Sequence, residues 1–407
     1  MMISVDKALE IILSSIPLIK ESERVTLFEA FGRVLAEDIT APANVPPENN
    51  SAMDGYAVIH ADISSAEAPS FKLKVDEEIR AGQNNEGKLL KSGYAIRIMT
   101  GAPLPEGADV VVPFEDTDEK NGIVTIAAHF EKYDNIRFAG EDIKKGETVL
   151  KKGTRLDSAE IGLLASMNLP EITVIKKPEV AILSTGDEIL EVGSENPGEK
   201  IINSNAYVLY SEIKKYGGNP HYAGIVRDKK SDVFNRFSEL LKYDVIISSG
   251  GVSMGKYDFI PDVLRELGID LKIQKILMKP GKPVVFGTKG EKIFFGLPGN
   301  PVSVMVSFQR FVRPALLKMS GAQKIEKPVV HAIAEEDLFK KEGRRYFLRG
   351  HYTIKNGEFY VKSTGPQGSG ILTSMSSSNC LIILHEDTEI VKAGEKVEIE
   401  LIRHGEI

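Results

Sequence analysis

The sequence is poor in the residues that bind soft metals and form disulfides. Its 407 residues include one cysteine, Cys380, and seven histidines. A single cysteine cannot form an internal disulfide and excludes cysteine-rich zinc and iron–sulfur sites. The histidines are scattered without the paired spacing of a His-based metal site, so we expect any metal ion to be bound by oxygen. This cysteine usage also predicts a reducing, cytoplasmic setting.

Long apolar runs and an excess of basic charge are also absent. Asp6, Lys7 and Glu10 interrupt the apolar residues near the N-terminus. No apolar run approaches the roughly 18 residues of a spanning helix. We therefore expect no signal peptide and no membrane anchor. The 51 basic and 58 acidic residues give a formal net charge of −7, so no global positive field is available to hold nucleic acid. With 42% hydrophobic residues, the chain reads as an ordinary globular protein of two to four domains, at roughly 150 residues each.

The spacing of apolar residues changes along the chain and predicts four domains. Helical spacing at about 4–16, 27–35 and 156–167 predicts an elongated helical linking domain made of residues 1–41 and 143–176. Short β-type runs predict an inserted β-rich domain over 42–142. Alternating strands and helices predict an α/β domain with a parallel-type sheet over 177–326. Strands without helices predict a small C-terminal β-barrel over 327–407.

Four loops that follow apolar runs in the α/β domain have the character of an anion-binding site. They are 184–188 (STGDE), 248–255 (SSGGVSMG), 279–283 (KPGKP) and 296–303 (GLPGNPVS). Ligands of open α/β sheets lie beyond the carboxyl ends of the strands, where such loops meet. Glycine-loop amides, lysines and a helix starting at Asn300-Pro301 all attract anions. Each loop alone is also explained by turn or capping chemistry; together they favour a phosphate-bearing ligand.

Two segments of the β-rich insert are further candidates. Residues 49–56 (NNSAMDGY) bring amides, a hydroxyl and an acid into one turn, and residues 99–103 (MTGAP) follow a predicted strand. Asp-Gly is also an ordinary hairpin signal, so a purely structural role for both segments stays open at this point.

Six strings occur in a fixed order along the chain: NSAMDGYAV, RIMTGAPLPEGADVVV, ILSTGDEI, SSGGVSMGKYDF, MKPGKPV and GLPGNPVSV. Together they resemble the molybdopterin molybdenumtransferases, the family of bacterial MoeA and the gephyrin E-domain, over essentially the whole chain. The resemblance implies a homodimer whose composite active site is closed by the partner's inserted domain. It implies adenylylated molybdopterin and molybdate as substrates, molybdenum insertion with release of AMP, Mg²⁺ as cofactor, and contact with other proteins of molybdenum cofactor biosynthesis.

The resemblance also implies site residues, to which the loop reasoning adds the glycines, Ser253 and Asn300. The implied catalytic residues are Asp54, Thr100, Glu188, Asp228 and Asp258. The implied substrate-binding residues are Asp142, Gly250, Gly251, Ser253, Lys275, Lys279, Pro298, Gly299, Asn300 and Pro301. Carboxylates in an anion-binding cleft would repel the substrate unless they bind Mg²⁺ or activate water, so Glu188, Asp228 and Asp258 are assigned to these tasks. Lys256 departs from the family, many of whose members have Glu there.

Three alternatives compete with this assignment. The chain could be an adenylyltransferase-like molybdopterin-binding protein, although such enzymes usually lack the inserted domain and the barrel. It could be a molybdopterin-binding scaffold of the gephyrin type, against which the retention of all the acids argues. A generic nucleotide-binding hydrolase is the third. The sequence does not separate molybdate from tungstate, nor does it say which carboxylate binds Mg²⁺ and which positions water.

Overall fold

The structure of the protein is a computed structural model that describes residues 2–65, 70–82, 88–127, 129–195, 198–252, 259–341 and 343–402. The chain begins with helix α1 (Val5–Ser15), strand β1 (Ser22–Thr26) and strand β2 (Ile39–Thr40). Ser4 caps α1 by accepting a hydrogen bond from the Lys7 amide at 3.2 Å, as expected for a serine at the N-cap. The buried side chains of α1 recur at helical spacing, which confirms the first predicted helix.

The first ordered segments differ from the prediction in two ways. The prediction of a helix over 27–35 is wrong, because only a 3-10 turn forms there, at Leu27–Glu29. Gly32 then turns the chain with φ +73°, and Phe28 and Phe31 are exposed, so the apolar residues do not share one buried face. Helix α1, assigned to the linking domain, instead packs its Val5, Ala8 and Ile12 into the core of the α/β sheet.

The β-rich insert follows. Its strands are β3 (Asn50–Ser51), β4 (Gly55–Val58), β5 (Phe71–Ile79), β6 (Tyr94–Ile98), β7 (Val110–Pro113), β8 (Thr117–Lys120), β9 (Ile123–Ile126) and β10 (Ile136–Arg137). Six of them form one mixed sheet in the order β7-β4-β6-β5-β9-β8. Successive residues of β7 enter different hydrophobic clusters, Val110 and Val112 on one side and Val111 on the other. The interior strand β4 divides in the same way, with Tyr56 and Val58 on one side and Ala57 on the other, so the sheet is buried on both faces there.

The chain leaves the insert beside the point where it entered. Strand β11 (Thr148–Leu150), helix α2 (Ser158–Ser166) and strand β12 (Glu171–Ile175) follow. Strand β11 pairs with β2 and β12 with β1, both antiparallel. Leu35, Leu164 and Val174 share one hydrophobic cluster. The two stretches that flank the insert thus pack together as expected, although with more strand and less helix than the sequence pattern indicates.

The α/β part provides the sheet that carries the candidate site. Its elements are β13 (Glu179–Thr185), β14 (Ile189–Leu190), β15 (Ile201–Ile202), α3 (Ser204–Lys215), β16 (Asn219–Val226), α4 (Lys230–Leu240), β17 (Val245–Ser249), α5 (Ile260–Glu266), β18 (Asp270–Ile273), β19 (Met278–Lys279), β20 (Val285–Lys289), β21 (Lys292–Leu297), α6 (Pro301–Ser307) and α7 (Arg313–Met319). A π-helical turn, Phe308–Val312, joins α6 to α7.

The sheet has the order β16-β13-β17-β21-β20-β18. Its first four strands are parallel, as predicted. Strand β20 runs antiparallel to β21 because only Gly290 and Glu291 separate their paired ends, Lys289 and Lys292, and so short a connection joins antiparallel strands. Alternate residues of β13 enter two different cores, Ile182 on one face and Leu183 on the other, so the sheet is covered on both sides.

The C-terminal part forms the predicted barrel. Its elements are β22 (Val329–Ala334), β23 (Leu338–Phe339), β24 (Arg345–Lys355), β25 (Glu358–Ser363), α8 (Leu372–Ser376), β26 (Cys380–Leu384), β27 (Ile390–Val391) and β28 (Lys396–Leu401). The order β24-β25-β22-β28-β26 closes through pairing of β24 with β26, which makes five strands a closed ring. Strand β19 pairs with β24 and ties the barrel to the α/β part. In the part of the chain that the structure describes, no helix is both long and apolar enough to cross a membrane.

Candidate active site

A cavity of about 570 Å³ lies where the parallel strands β13, β17 and β21 end. This is the edge at which ligands of open α/β sheets bind. The residues that line it and that the sequence singles out are Glu188, Asp228, Gly250, Gly251, Pro298, Gly299, Asn300 and Pro301. All four predicted loops therefore supply walls of one cavity, the third through Pro283 alone. The other three follow strands of the parallel sheet, whose carboxyl ends meet at one edge.

The glycine loop after β17 is built so that only glycine fits. Gly250 and Gly251 have φ of +93° and +62°, a region that side chains with a Cβ rarely enter. A Cβ on Gly250 would lie 2.6 Å from the Thr185 carbonyl oxygen. The Gly250 amide already donates to the Leu297 carbonyl at 3.0 Å, so this N–H group positions the loop and is not one of the free donors that the sequence suggests.

The helix that begins at Pro301 is capped from another part of the chain. Asn300 is the N-cap residue and Pro301 the first helical residue, as predicted, but the Asn300 side chain does not cap. Its Nδ2 instead donates to Ser369 Oγ at 3.0 Å, and the Val302 amide donates to the Ser369 carbonyl at 3.1 Å. The segment around Ser369 follows β25, and its Gly370 also lines the cavity. The C-terminal part thus contributes to the site.

Two of the three predicted Mg²⁺ carboxylates lie in this cavity. The Glu188 carboxylate folds back over Gly186, where an added Cβ would lie 2.7 Å from Glu188 Oε2. The backbone amide of Asp228 donates to Asp187 Oδ1 at 3.4 Å. Asp258, the third carboxylate, and Ser253 are outside the described residues. Among the residues that are described, no three His, Cys, Asp or Glu side chains cluster as metal ligands, so the Mg²⁺ assignment stays a prediction.

Asparagines that the sequence reasoning missed complete the polar wall. Asn203 caps α3, and its Oδ1 accepts from the Ala206 amide at 3.3 Å and from Ser184 Oγ at 3.1 Å. Asn205 Nδ2 donates to the Gly299 carbonyl at 2.7 Å, which joins α3 to the loop after β21. The sequence signal was available, because Asn-Ser-Asn directly before a helical pattern marks a helix N-terminus.

The two predicted lysines, Lys279 of the third loop and Lys275 upstream of it, do not line this cavity. Lys279 lines a second cavity, of about 370 Å³, formed with the barrel. Its ammonium group lies 5.0 Å from the centre of the Tyr346 ring. Pro283, at the other end of the same loop, lines the first cavity, so the loop runs between the two. Lys275 lines neither cavity; its carbonyl accepts a hydrogen bond from the Ile3 amide at 3.3 Å.

Arg349 in the wall of this second cavity gave no signal in the sequence, because a single arginine in a strand pattern is usually solvated. Its side chain is 1% exposed. The guanidinium donates to Ser374 Oγ and to the Gly368 carbonyl, each at 3.0 Å. Burial lowers the pKa of Arg349 to about 10. A buried cation held by neutral partners beside Lys279 makes this wall attractive to an anion.

The predicted residues of the insert do not line either cavity of the same chain. Thr100 donates to Asp54 Oδ1 from both its amide and its hydroxyl, each at 2.7 Å. These bonds, the backbone one first, hold the pKa of the Asp54 carboxyl below its usual value. Asp142 is exposed, and its amide donates to the Val45 carbonyl at 3.1 Å. Within one chain, the insert residues and the sheet cavity are therefore separate.

Comparison with known proteins decides the family. Residues 3–168 match the MoeA N-terminal region (domain I and II), 181–318 a probable molybdopterin binding domain, and 331–402 the MoeA C-terminal region (domain IV). A molybdopterin molybdenumtransferase from Haemophilus influenzae is 38% identical over 99% of this chain and 99% of its own length. The chain belongs to the molybdopterin molybdenumtransferase family.

Other relatives extend this membership to the fold. A molybdopterin molybdenumtransferase from Nostoc sp. is 36% identical over 93% of this chain and 88% of its own length. The crystal structure of the molybdopterin biosynthesis protein moeA from Pyrococcus horikoshii OT3 superimposes with a TM-score of 0.83 at 33% identity, over 98% of this chain and 100% of that one. These comparisons confirm the predicted family, its transferase class and the predicted fold class.

Proposed function

We propose that this member of the molybdopterin molybdenumtransferase family inserts molybdate into adenylylated molybdopterin and releases AMP. The observation that carries the proposal is the cavity of about 570 Å³ at the carboxyl edge of the sheet. It lies within residues 181–318, the segment that matches a probable molybdopterin binding domain, apart from Gly370. Glu188, Asp228, the glycine loop and the start of α6 line this one space.

The chemistry of the cavity suits an anionic substrate that also needs a cation. A pyrophosphate-linked substrate and molybdate bring several negative charges together. The positive end of the helix dipole at α6 and the amides of the glycine loop other than that of Gly250 stabilise part of this charge. Glu188 and Asp228 would repel it unless they hold a cation. We assign both, with Asp258, to Mg²⁺, which supplies charge neutralisation for the departing AMP phosphate when bound.

The oxygen atoms of the cavity wall fit a magnesium ion. The Thr185 hydroxyl oxygen and Asn205 Oδ1 are buried without a hydrogen-bond partner among the described residues. Both residues line the cavity with Glu188 and Asp228. Carboxylate, amide and hydroxyl oxygens and water are ligands of the kind that Mg²⁺ takes in proteins, and nitrogen and sulfur ligands are not needed.

The placement of Asp54 and Thr100 supports a homodimer with a composite active site. Both residues lie in the insert and outside the cavities of their own chain. We therefore propose that they face the cavity of the partner subunit, which would make each site from two chains. The single cysteine, Cys380, is buried, and we propose that the dimer works in the reducing cytoplasm with other proteins of molybdenum cofactor biosynthesis.

Incubation of the purified full chain with adenylylated molybdopterin and Mg²⁺, with and without molybdate, tests the function. We expect AMP release that depends on molybdate. An adenylyltransferase-like protein would release no AMP in either sample and, in a third sample with molybdopterin and ATP, would form adenylylated molybdopterin. A scaffold would bind adenylylated molybdopterin and leave it intact, and a hydrolase would release AMP equally in both samples. Any of these three results would overturn the proposal.

A further inference from the structure

A third cavity, of about 250 Å³, lies apart from the two described above. Helix α1 forms one wall with Leu9 and Leu13, the π-helical turn and α7 form a second, and strand β28 contributes Glu400. None of its lining residues lines the other two cavities. The cavity therefore lies where α1 and the end of the α/β part, which share one core, meet the barrel strand β28. The proposed reaction does not use it.

The π-helical turn places an amide and a charged side chain in this cavity. The turn Phe308–Val312 carries Gln309 and Arg310. Arg310 Nη1 forms an ion pair with Glu400 Oε2, and its guanidinium lies 5.1 Å from the centre of the Phe347 ring. π-helical turns are rare in proteins and occur frequently at functional sites. The turn thus gives an independent reason to look for a ligand here.

Lys327 is the second buried cation. Its Nζ donates to Gln309 Oε1 at 2.6 Å and lies 3.5 Å from Glu400 Oε1. The side chain is 6% exposed. Burial lowers the pKa of Lys327 to about 8, and the Glu400 carboxylate only partly offsets this effect. The ammonium group is therefore poorly compensated by the protein itself.

Arg313 is the third cation and has no carboxylate within ion-pair distance among the described residues. The residue is 9% exposed. Its Nη1 donates to the Ile325 carbonyl at 2.9 Å, and its guanidinium lies 5.2 Å from the centre of the Tyr216 ring. Burial lowers the pKa of Arg313. Glu400 and Tyr216 offset this effect only in part, and Glu400 does so without a direct ion pair. The buried guanidinium is therefore incompletely compensated and attracts an anion.

The acids near the cavity are already engaged or exposed. Glu400 faces Arg310 and Lys327. Glu212 lies behind Gln309, whose Nε2 donates to Glu212 Oε2 at 2.6 Å. Glu326 lines the cavity but is exposed to solvent. The three cations therefore share Glu400 and the half-buried Glu212, and Arg313 forms an ion pair with neither of them.

We propose that this cavity binds a small free oxyanion of the phosphate class, held by Arg313 and Lys327. A planar guanidinium and an ammonium group are the donors that proteins use for phosphate oxygens. The anion would complete the charge balance of the π-helical turn. Because the cavity is made by α1, α7 and β28, the anion would also hold these parts together and stabilise the folded chain by linkage.

Calorimetric titration of the full chain with inorganic phosphate, at constant ionic strength, tests the proposal. The variants are Arg313→Gln and Lys327→Gln, which remove one cation each, and the matched control is Lys324→Gln, an exposed lysine of the same segment. Phosphate that enters the sheet cavity contributes equally in all four proteins, because none of the three residues lines it. Far-ultraviolet circular dichroism checks that each variant is folded.

We expect the wild type and Lys324→Gln to bind one phosphate with the same Kd. Both cavity variants should bind it at least roughly tenfold more weakly, because each has lost one charged hydrogen-bond donor. If Arg313→Gln fails to fold, Lys327→Gln alone decides. Equal stoichiometry and Kd in the wild type and in the folded cavity variants would overturn the proposal. So would the absence of saturable phosphate binding to the wild type.

Discussion

Thr100 donates two hydrogen bonds to one oxygen of Asp54, from its amide and from its hydroxyl, each 2.7 Å long. The two residues are 46 positions apart in the sequence, and both are exposed. The bonds stabilise the charged form of the carboxyl and so lower the pKa of Asp54. Strand β6 ends just before Thr100 and strand β4 begins just after Asp54, so the pairing of these strands presents the acid and the hydroxyl as one unit.

The first prediction separates the two bonds of this unit. Thr100→Val removes the hydroxyl and keeps the amide, so the pKa of Asp54 should rise part of the way to its ordinary value. If Asp54 acts as a carboxylate, activity falls as the pH drops through its pKa and the group is protonated. A raised pKa should therefore move the acid limb of the kcat/KM profile to higher pH. Near neutral pH the Asp54 carboxyl is ionised in both proteins, so a loss of turnover there would report the missing Thr100 hydroxyl and not the shifted pKa. Thr117→Val, which removes a hydroxyl bonded to the Phe114 carbonyl, is the control, and an unmoved acid limb in Thr100→Val would contradict the assignment.

The second prediction concerns the glycine loop. Gly250→Ala must accommodate both a positive φ and a Cβ 2.6 Å from the Thr185 carbonyl oxygen. Gly290→Ala also has a positive φ, of +57°, but meets no atom within 4 Å. We expect urea unfolding to show a loss of about 1 kcal/mol for Gly290→Ala and of roughly 2 kcal/mol or more for Gly250→Ala. Equal losses would mean that the contact with Thr185 does not constrain the loop.

The third prediction follows from the low pKa of Lys327, about 8 in the folded chain. The unfolded chain keeps this lysine protonated up to its ordinary pKa of about 10.4. Between these two values the unfolded state binds more protons, so the free energy of unfolding should rise with pH. The free energy of unfolding should rise by at most about 3 kcal/mol over this pH range. The Lys327→Met variant should not show this rise. Lys324→Met serves as the control; a pH dependence shared by the wild type and Lys327→Met would refute this account of the buried lysine.

The fourth prediction concerns the proposed composite site. If the insert of one subunit completes the cavity of its partner, Asp54→Ala and Glu188→Ala damage opposite halves of each site. A mixed dimer then has one site with both lesions and one intact site. With random exchange half of the dimers are mixed, so two inactive parents should together recover about a quarter of wild-type activity.

When the two mutant chains are co-expressed with different tags, sequential purification on both tags isolates the mixed dimers. Their molybdate-dependent AMP release is then measured directly. Each parent must be nearly inactive by itself, and the two subunits must be present in equal amounts. If the mixed dimers are no more active than either parent, the proposal that Asp54 serves the partner's site is wrong. A single chain that is fully active as a monomer would have the same consequence.

Much of the sheet cavity could be predicted from the sequence, since a general rule of parallel sheets brings it together. More than twenty residues of sequence separate any two of Glu188, Asp228 and Gly250. Each of them nevertheless follows a strand that ends at the same edge of the sheet. Asn205 was within reach of the same rule, because it lies in the helix-capping segment after β15. Periodicity also predicted the five barrel strands, but the expected absence of helices there is wrong, because the short helix α8 lies between β25 and β26.

Long-range contacts account for what the sequence could not give. The apolar pattern of α1 fixes a buried face but not the partner of that face, which proves to be the α/β sheet. The capping of α6 by Ser369 joins segments about 70 residues apart, and no local pattern encodes it. Over 27–35, Gly32 and the local strand pairing outweigh a weak helical spacing, because Phe28 and Phe31 have no core to bury in.

The most direct test of the whole account is molybdate-dependent AMP release by Glu188→Gln. This change removes the charge at nearly constant shape, so the fold and the binding of adenylylated molybdopterin should be kept. We expect AMP release to fall about 100-fold or more, while Glu199→Gln, an exposed glutamate before β15, releases AMP like the wild type. Near-normal release by Glu188→Gln would contradict the claim that molybdenum is inserted in the cavity at the carboxyl edge of the sheet.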